Sequence, residues 1–213
     1  FSSSCTVYGE PSIVPVNENT PIQPAFSPYG YTKQVGEKML TDFFNTKKKT
    51  SLTILRYFNP IGAHPSSLIG ELPLGVPSSL VPYITQTAIG KRKQLTIFGN
   101  DYKTADGTCI RDYIHVVDLA RAHVLSLKNQ NMFNNTYNVG VGKGHSVLEV
   151  VNSFEEVNNL KINYQFGKRR SGDVPVIYAN NHLIKKELKW EPEFSLKDAL
   201  KHAWSWEKNL ESK

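Results

Sequence analysis

The sequence predicts an α/β protein built on a parallel sheet with helices on both faces. Three observations point there. Residues 51–58, "SLTILRYF", are short, apolar and β-branched, and end at the turn-rich "NPIGAHP". A helical segment at 29–44 precedes them, and before it lies the apolar run 1–8, giving strand, helix, strand. The alternation then continues, with helix 80–89, the strand "QLTIFG" and the strand-into-helix stretch "CIRDYIHVVDLARAHVLSL". Crossovers of this kind join parallel strands.

Each element has a local reason. The run 1–8 reads as the middle of a buried strand entering a turn. Helix 29–44 has Ser27 as N-cap and Pro28 in the first turn, where a missing N–H costs nothing. Met39, Leu40, Phe43 and Phe44 give it an apolar stripe, suited equally to a core or to a partner helix. After Asn59 the texture turns rich in Pro, Gly and Ser. A strand at "NTYNVG", a helix opening at Ser146 and strand-like "KINYQF" follow, and the C-terminus is helical. Trp190, Trp204 and Trp206 are expected core anchors. "VGVGKGHS" tempts as a dinucleotide loop, but its spacing is G-x-G-x-G, not G-x-G-x-x-G, and it reads as a helix entry.

Composition narrows the class. The 213 residues are 39% hydrophobic and 21% charged, an ordinary globular balance. No apolar run reaches the roughly 18 to 20 residues of a membrane span, and no secretory signal is visible. Cys5 and Cys109 are too few for a disulfide scaffold. Together these predict a cytoplasmic protein. The formal net charge of +6 comes from scattered lysines, with one cluster at Lys47, Lys48 and Lys49 placed to suit the negative end of a helix. No recognition helix or aromatic–basic platform appears, so neither nucleic acid nor a membrane is an expected partner. A small anionic ligand is. The histidines lack ligand spacing and no metal is expected; His64 reads as a polar plug in its loop.

Tyr29 and Lys33 stand four apart on one helical face. A strand ending in Ser2, Ser3 and Ser4 precedes them, and ligands of parallel sheets sit at the carboxyl ends of strands. A phenol of ordinary pKa near 10 is a poor base at neutral pH, and bringing one to about 7 requires ~4 kcal/mol. A lysine ~7 Å away supplies about 2.4 kcal/mol at an effective dielectric of ~20. A second cation, such as an oxidised nicotinamide ring, closes the gap, so the pair suits an acid/base matched to hydride transfer.

"SSSCTVYG", "SPYGYTK", "RYFNPIGAHPSS", "FGNDYKTADGTCIRDYIHVVDLARAH" and "KRRSGDVPVIYAN" stand in this order. They resemble the extended short-chain dehydrogenase/reductase family, most narrowly its UDP-glucose 4-epimerase branch. The resemblance implies a partial Rossmann-like doubly wound parallel sheet and a smaller α/β C-terminal substrate-binding domain. Residues 1–58 would be the remainder of the NAD-binding domain, with 112–140 packing back onto it, and 59–213 would bind a UDP-sugar. It implies NAD as cofactor, a homodimer paired through sheet-flanking helices, and interconversion of UDP-glucose and UDP-galactose at C4.

By the same resemblance Tyr29 takes the C4 hydroxyl proton, Lys33 holds the nicotinamide ribose, and Ser4 bonds the reacting oxygen. Tyr57 and Phe58 line the nicotinamide. Asn59 meets the diphosphate, Leu80 lies beside the nucleotide, and the strand with Thr96 and Phe98 faces the uracil. Arg111 and Arg170 match the phosphate-clamping arginines, which fork-shaped donors suit. Asp173 matches the carboxylate on the ribose, and Tyr113 stands in the same wall. Ser79 departs from the family's Asn and puts that contact in question. Ile177 takes the sugar-pocket gate, intermediate between the large Tyr that excludes N-acetyl sugars and the small Cys that admits them.

Two alternatives remain: a 4,6-dehydratase or decarboxylase of the same family, and a non-catalytic nucleotide-sensing module. The dehydratases' Thr-Asp-Glu is replaced by Ser4, Cys5 and Thr6, with no acid to expel water. The chain begins inside a strand without Met, so it reads as a fragment whose glycine-rich phosphate loop would precede Phe1. Alone, such a fragment is expected to bind NAD poorly and not to turn over.

Overall fold

In a computed structural model, which describes residues 1–46, 50–129 and 134–211, a first sheet is wholly parallel. Its strands β1 (Ser2–Ser4), β2 (Leu52–Tyr57) and β6 (Asn134–Val139) run in the order β1-β2-β6. Thus β6, about 80 residues beyond β2, returns to pair along its whole length, Leu52 opposite Asn134 through Tyr57 opposite Val139. The strand expected over 1–8 is shorter. It ends at Ser4, whose hydroxyl accepts from Thr6 N at 3.2 Å and starts a 3-10 turn over Cys5–Tyr8.

Helix α1 (Pro28–Thr46) crosses from this turn to β2. Its start is as the sequence predicts, with Ser27 Oγ accepting from Gly30 N at 3.1 Å. Its burial is not that of a core helix. Only Gly30 and Glu37 are buried, while Met39 and Phe43 stand 66% and 56% exposed. The Lys47–Lys49 cluster lies outside the described residues.

The second unit begins one residue past β2. Strand β3 (Asn59–Ile61) pairs in parallel with β5 (Ile110–His115). Strand β5 also pairs antiparallel with β7 (Gly144–Ser146) and in parallel with β9 (Val176–Ile177). A separate ribbon joins β4 (Leu95–Phe98) to β8 (Tyr164–Gly167). Around them lie α2 (Leu80–Ala88), α3 (Val116–Lys128), α4 (Val147–Asn158), α5 (His182–Leu188) and α6 (Leu196–Glu211).

The helix caps explain the entries. Ser146 and Glu149 form a reciprocal capping box on α4, so the glycine-rich "VGVGKGHS" is a helix entry. His115 caps α3, its Nδ1 accepting from Val117 N at 3.0 Å. His64 is exposed and bonds Ser66 of its own turn, rather than plugging the loop.

Among the described residues, apolar side chains collect in three clusters. One joins α2, α4 and α6 through Ile84, Phe154 and Leu200; one lies between the first sheet and α3 and α5 around Tyr137, Ile184 and Trp190; the third surrounds Val7, Tyr8 and Val16. Trp190 is fully buried and donates to Asp118 O at 2.9 Å. Trp204 packs edge-on against Phe154. Trp206 is only half-buried and donates to Glu71 O at 2.8 Å, holding the 66–79 segment instead of anchoring a core.

Candidate functional site

A cavity of about 600 Å³ opens between the β4–β8 ribbon, the start of α2 and the ends of β3 and β5. Asn59, Ser79, Leu80, Thr96, Phe98, Arg111, Tyr113, Arg170 and Asp173 all line it, with Cys109, Tyr83 and Val76 among their neighbours. These residues lie up to 114 positions apart in sequence (59 to 173), and strand pairing brings them together. Asn59 stands opposite Tyr113 in the β3–β5 register.

The cavity is charged at one end. Arg170 Nε donates to Asp173 Oδ2 at 3.0 Å, and Arg111 NH2 lies 3.7 Å from Asp173 Oδ1. The Arg170 guanidinium sits 5.0 Å from the centre of the Phe98 ring. Burial pushes the Tyr113 phenol above its ordinary range, so it is a neutral wall residue. Asn59 Oδ1 is buried without a partner among the described residues. Buried polar atoms seldom go unbonded, so this carbonyl oxygen suits a hydrogen-bond donor, such as a ligand hydroxyl. Ile177 does not line the cavity. It is 4% exposed and packs with Cys5, Tyr8 and Phe58.

Ser4 ends β1, and Tyr29 and Lys33 stand at the start of α1, beside the cavity. Ser4 stands opposite Tyr57 in the β1–β2 register. Tyr29, half-exposed at the start of α1, has the Lys33 Nζ 5.4 Å from its ring centre, and that Nζ donates to Ser2 O at 2.9 Å. Burial raises the Tyr57 phenol, and the nearby Tyr29 adds to the rise. Phe58 is buried in the third apolar cluster. The trio and the cavity are contiguous in two ways. Only Phe58 separates Tyr57 from Asn59, and a Cβ on Gly172 would lie 3.4 Å from Phe26 O, so the Arg170–Asp173 segment packs against the entry to α1.

Ser2 and Ser3 carry duties that sequence reasoning missed. His123 Nδ1 bonds Leu119 O at 2.9 Å, leaving Nε2 to accept from Ser2 Oγ at 2.9 Å. On the other face, Ser3 Oγ donates to Glu37 Oε1, and Glu37 takes a two-pronged bond from Arg56 at 2.9 and 2.6 Å. Arg56 further donates to the Tyr8 hydroxyl at 3.1 Å, which donates to Asn138. This buried network pins α1, one turn beyond Lys33, to β1, β2 and β6. An arginine inside an otherwise apolar strand was the available signal, because a buried guanidinium requires a carboxylate.

Asp112 was also missed. Its carboxylate accepts from the backbone N–H of Val141, Gly142 and Ala179 at 2.8, 2.9 and 3.1 Å, tying β5 to two turns directly behind Arg111. Burial outweighs these bonds and moves its pKa up to about 6. Among the described residues no three His, Cys, Asp or Glu side chains are grouped to hold a metal, and no helix is long and apolar enough to cross a membrane.

Comparison with known proteins agrees with this architecture. A UDP-glucose 4-epimerase of Haemophilus influenzae is 49% identical over 211 residues, 98% of this chain and 62% of that protein. The crystal structure of UDP-glucose 4-epimerase from Stenotrophomonas maltophila, with bound NAD and formylated UDP-arabinopyranose, covers all of this chain and 63% of its own. Its TM-score is 0.95 and its identity 44%. That of the Bifidobacterium longum UDP-glucose 4-epimerase, in complex with NAD+ and UDP, covers 98% of this chain and 63% of its own, with a TM-score of 0.95 and 41% identity. The chain thus spans about three-fifths of the length of these relatives. The family model for GDP-mannose 4,6 dehydratase matches residues 1–203. On that match the chain belongs to this family of extended short-chain dehydrogenase/reductases.

Proposed function

We propose that the chain carries the acid/base centre and the sugar-nucleotide wall of an enzyme that interconverts UDP-glucose and UDP-galactose at C4, with NAD as cofactor. One observation carries the reading: Ser4 and Tyr57 at paired strand ends, with Tyr29 and Lys33 at the start of α1, adjoin a cavity holding two arginines and a carboxylate. The relatives' identity as UDP-glucose 4-epimerases supports it. In this division, residues 1–58 with 112–140 serve the cofactor and the rest of 59–213 serves the UDP-sugar.

Each residue then has a defined task. Arg111 and Arg170 hold the diphosphate through charge-assisted bonds, Asp173 turns to the ribose, and Phe98 and Thr96 face the base. Asn59 turns its Nδ2–H to the diphosphate. Leu80 packs beside the nucleotide, Ser79 offers a hydroxyl at the same rim, and Tyr113 closes the wall. Tyr29 removes the C4 hydroxyl proton, Ser4 holds that oxygen, and Lys33 supplies positive charge beside the phenol. Bound NAD supplies hydride acceptance and return at C4. The diphosphate stays held while the 4-keto ring turns, and Tyr29 returns its proton on the other face; remote binding keeps the intermediate from escaping.

The donor set fits NAD. Tyr29 is half-exposed, Lys33 offers Nζ donors beyond its bond to Ser2 O, and Tyr57 lies close by. Ile177 packs at the back of Ser4's neighbour Cys5, so it would shape the sugar pocket indirectly. The buried thiols of Cys5 and Cys109 suit a cytoplasmic protein. The exposed row Tyr31, Val35, Met39 and Phe43 on α1 suits a homodimer packed helix to helix.

The family model's description raises dehydration as a second reading. Ser4, Cys5 and Thr6 offer no carboxylic acid to expel water, which favours epimerisation. The test is product analysis of the complete protein with UDP-galactose. UDP-glucose formation with NAD retained supports the proposal; a 6-deoxy-4-keto sugar would replace it.

A further inference from the structure

We propose that Arg169 and Asp101 form an external clamp that sets the spacing of the two cavity arginines, making Arg169 a positioning residue for nucleotide binding; the inference rests on the nucleotide reading of the cavity. Adjacent arginines on one segment do different things here. Arg170 faces the cavity, whereas Arg169 lies with Asp101 along a separate outer groove and takes no part in the cavity lining.

The clamp is specific in geometry. Arg169 Nε donates to Asp101 Oδ1 at 2.7 Å, and NH2 donates to Asp101 O. The same guanidinium lies 4.1 Å from the centre of the Tyr102 ring. A planar fork with a stacking face makes all three contacts; a lysine ammonium makes one.

What the clamp joins gives it consequence. On one side, Arg169 is covalently next to Arg170, which grips Asp173. On the other, Asp101 opens a tightly bonded loop that ends two residues before Arg111. Tyr102 N bonds Gly107 O at 3.0 Å, Thr104 Oγ1 bonds Thr108 O at 2.7 Å, and Thr108 Oγ1 bonds Asp106 at 2.8 Å. The carboxylate of Asp106 is in turn held by Ser146. Gly99, at φ +82°, makes the turn, and a Cβ there would lie 2.4 Å from the Tyr102 ring. The loop therefore transmits position from Asp101 to Arg111. An anion held by both arginines benefits from having them spaced in advance.

The experiment is calorimetric titration of the complete protein with UDP and with uridine. Arg169→Ala and Asp101→Ala should each weaken UDP binding about fivefold, the scale of one exposed ion pair. The double variant should be no weaker than either, and Arg169→Lys should not restore affinity. Uridine affinity should fall as well, because Asp173 moves with the same segment, and the melting temperature should not change. UDP binding by Arg169→Ala equal to wild type overturns the clamp alone. Loss of UDP affinity in Arg169→Ala but not in Asp101→Ala overturns it in favour of a direct phosphate contact. A wild-type protein that does not bind UDP overturns the nucleotide reading and the clamp with it.

Discussion

Arg170 and Asp173, three residues apart, are joined by a 3.0 Å hydrogen bond, and the second oxygen of the same carboxylate faces Arg111 at 3.7 Å. One carboxylate thus offsets two guanidinium groups. It holds them together at the cavity mouth, and it is also the residue proposed to meet the ribose. Asp173→Asn should therefore separate two effects. UDP affinity should fall about tenfold with the lost charge-assisted contact, while inorganic diphosphate should bind at least as tightly as to wild type. Titration of both ligands checks this.

Tyr29 does not line the nucleotide cavity. Tyr29→Phe should abolish turnover in the complete protein and leave the UDP dissociation constant of the chain unchanged within twofold. Surviving epimerisation would remove Tyr29 from its role. A large change in UDP affinity would show that the two regions are not separable.

The Arg56–Glu37 pair is buried on both sides, with side-chain exposures of 8% and 8%. Removing one partner leaves the other charged and dry. Arg56→Met should cost about 3–5 kcal/mol of unfolding free energy, whereas Arg56→Met combined with Glu37→Leu should recover part of it. Denaturant unfolding of both variants measures the difference. A single variant as stable as wild type would show that the network does not hold α1.

His115 gives the fold a pH dependence of known sign. Burial first, and the neighbouring His202 second, lower its pKa from 6.5 to about 4. The folded chain therefore binds fewer protons than the unfolded one between these values. Its contribution to stability is fully present above pH 6.5 and is lost as pH falls towards 4. Its Nδ1 lone pair caps α3, its ring stacks on Phe194 with centres 4.2 Å apart, and its Nε2 lies 3.0 Å from His202 Nδ1. His115→Asn, which keeps a cap acceptor, should be less stable at pH 7.5 and show a flatter stability curve from pH 6.5 to 4. An unchanged slope would assign the acid sensitivity elsewhere.

Much of this was readable from the sequence because it is local or periodic. The Tyr29–Lys33 pair follows from helical spacing, Ser27 and Ser146 from capping chemistry, and the strand–helix alternation from apolar runs. The cavity residues came from motif strings, because no local rule links Asn59 to Asp173. Burial was the weak point. The stripe Met39 to Phe44 is apolar, yet Met39 and Phe43 face outward and α1 is held instead by Glu37. Trp206 has the composition of an anchor and serves as a hydrogen-bond donor to a loop.

The sequence by itself determined the main strand–helix alternation and which side chains are equipped for acid/base and phosphate chemistry, since spacing and side-chain type are properties of the chain. Only the tertiary structure decided that Ser3, Glu37, Arg56 and Tyr8 form one buried network, that Ile177 sits behind the site, and that Arg170 faces inward while Arg169 faces out. Such facts depend on which strands pair and in what register. Register shifted by one residue turns every side chain to the other face, and no sequence spacing encodes a contact between residues 101 and 169.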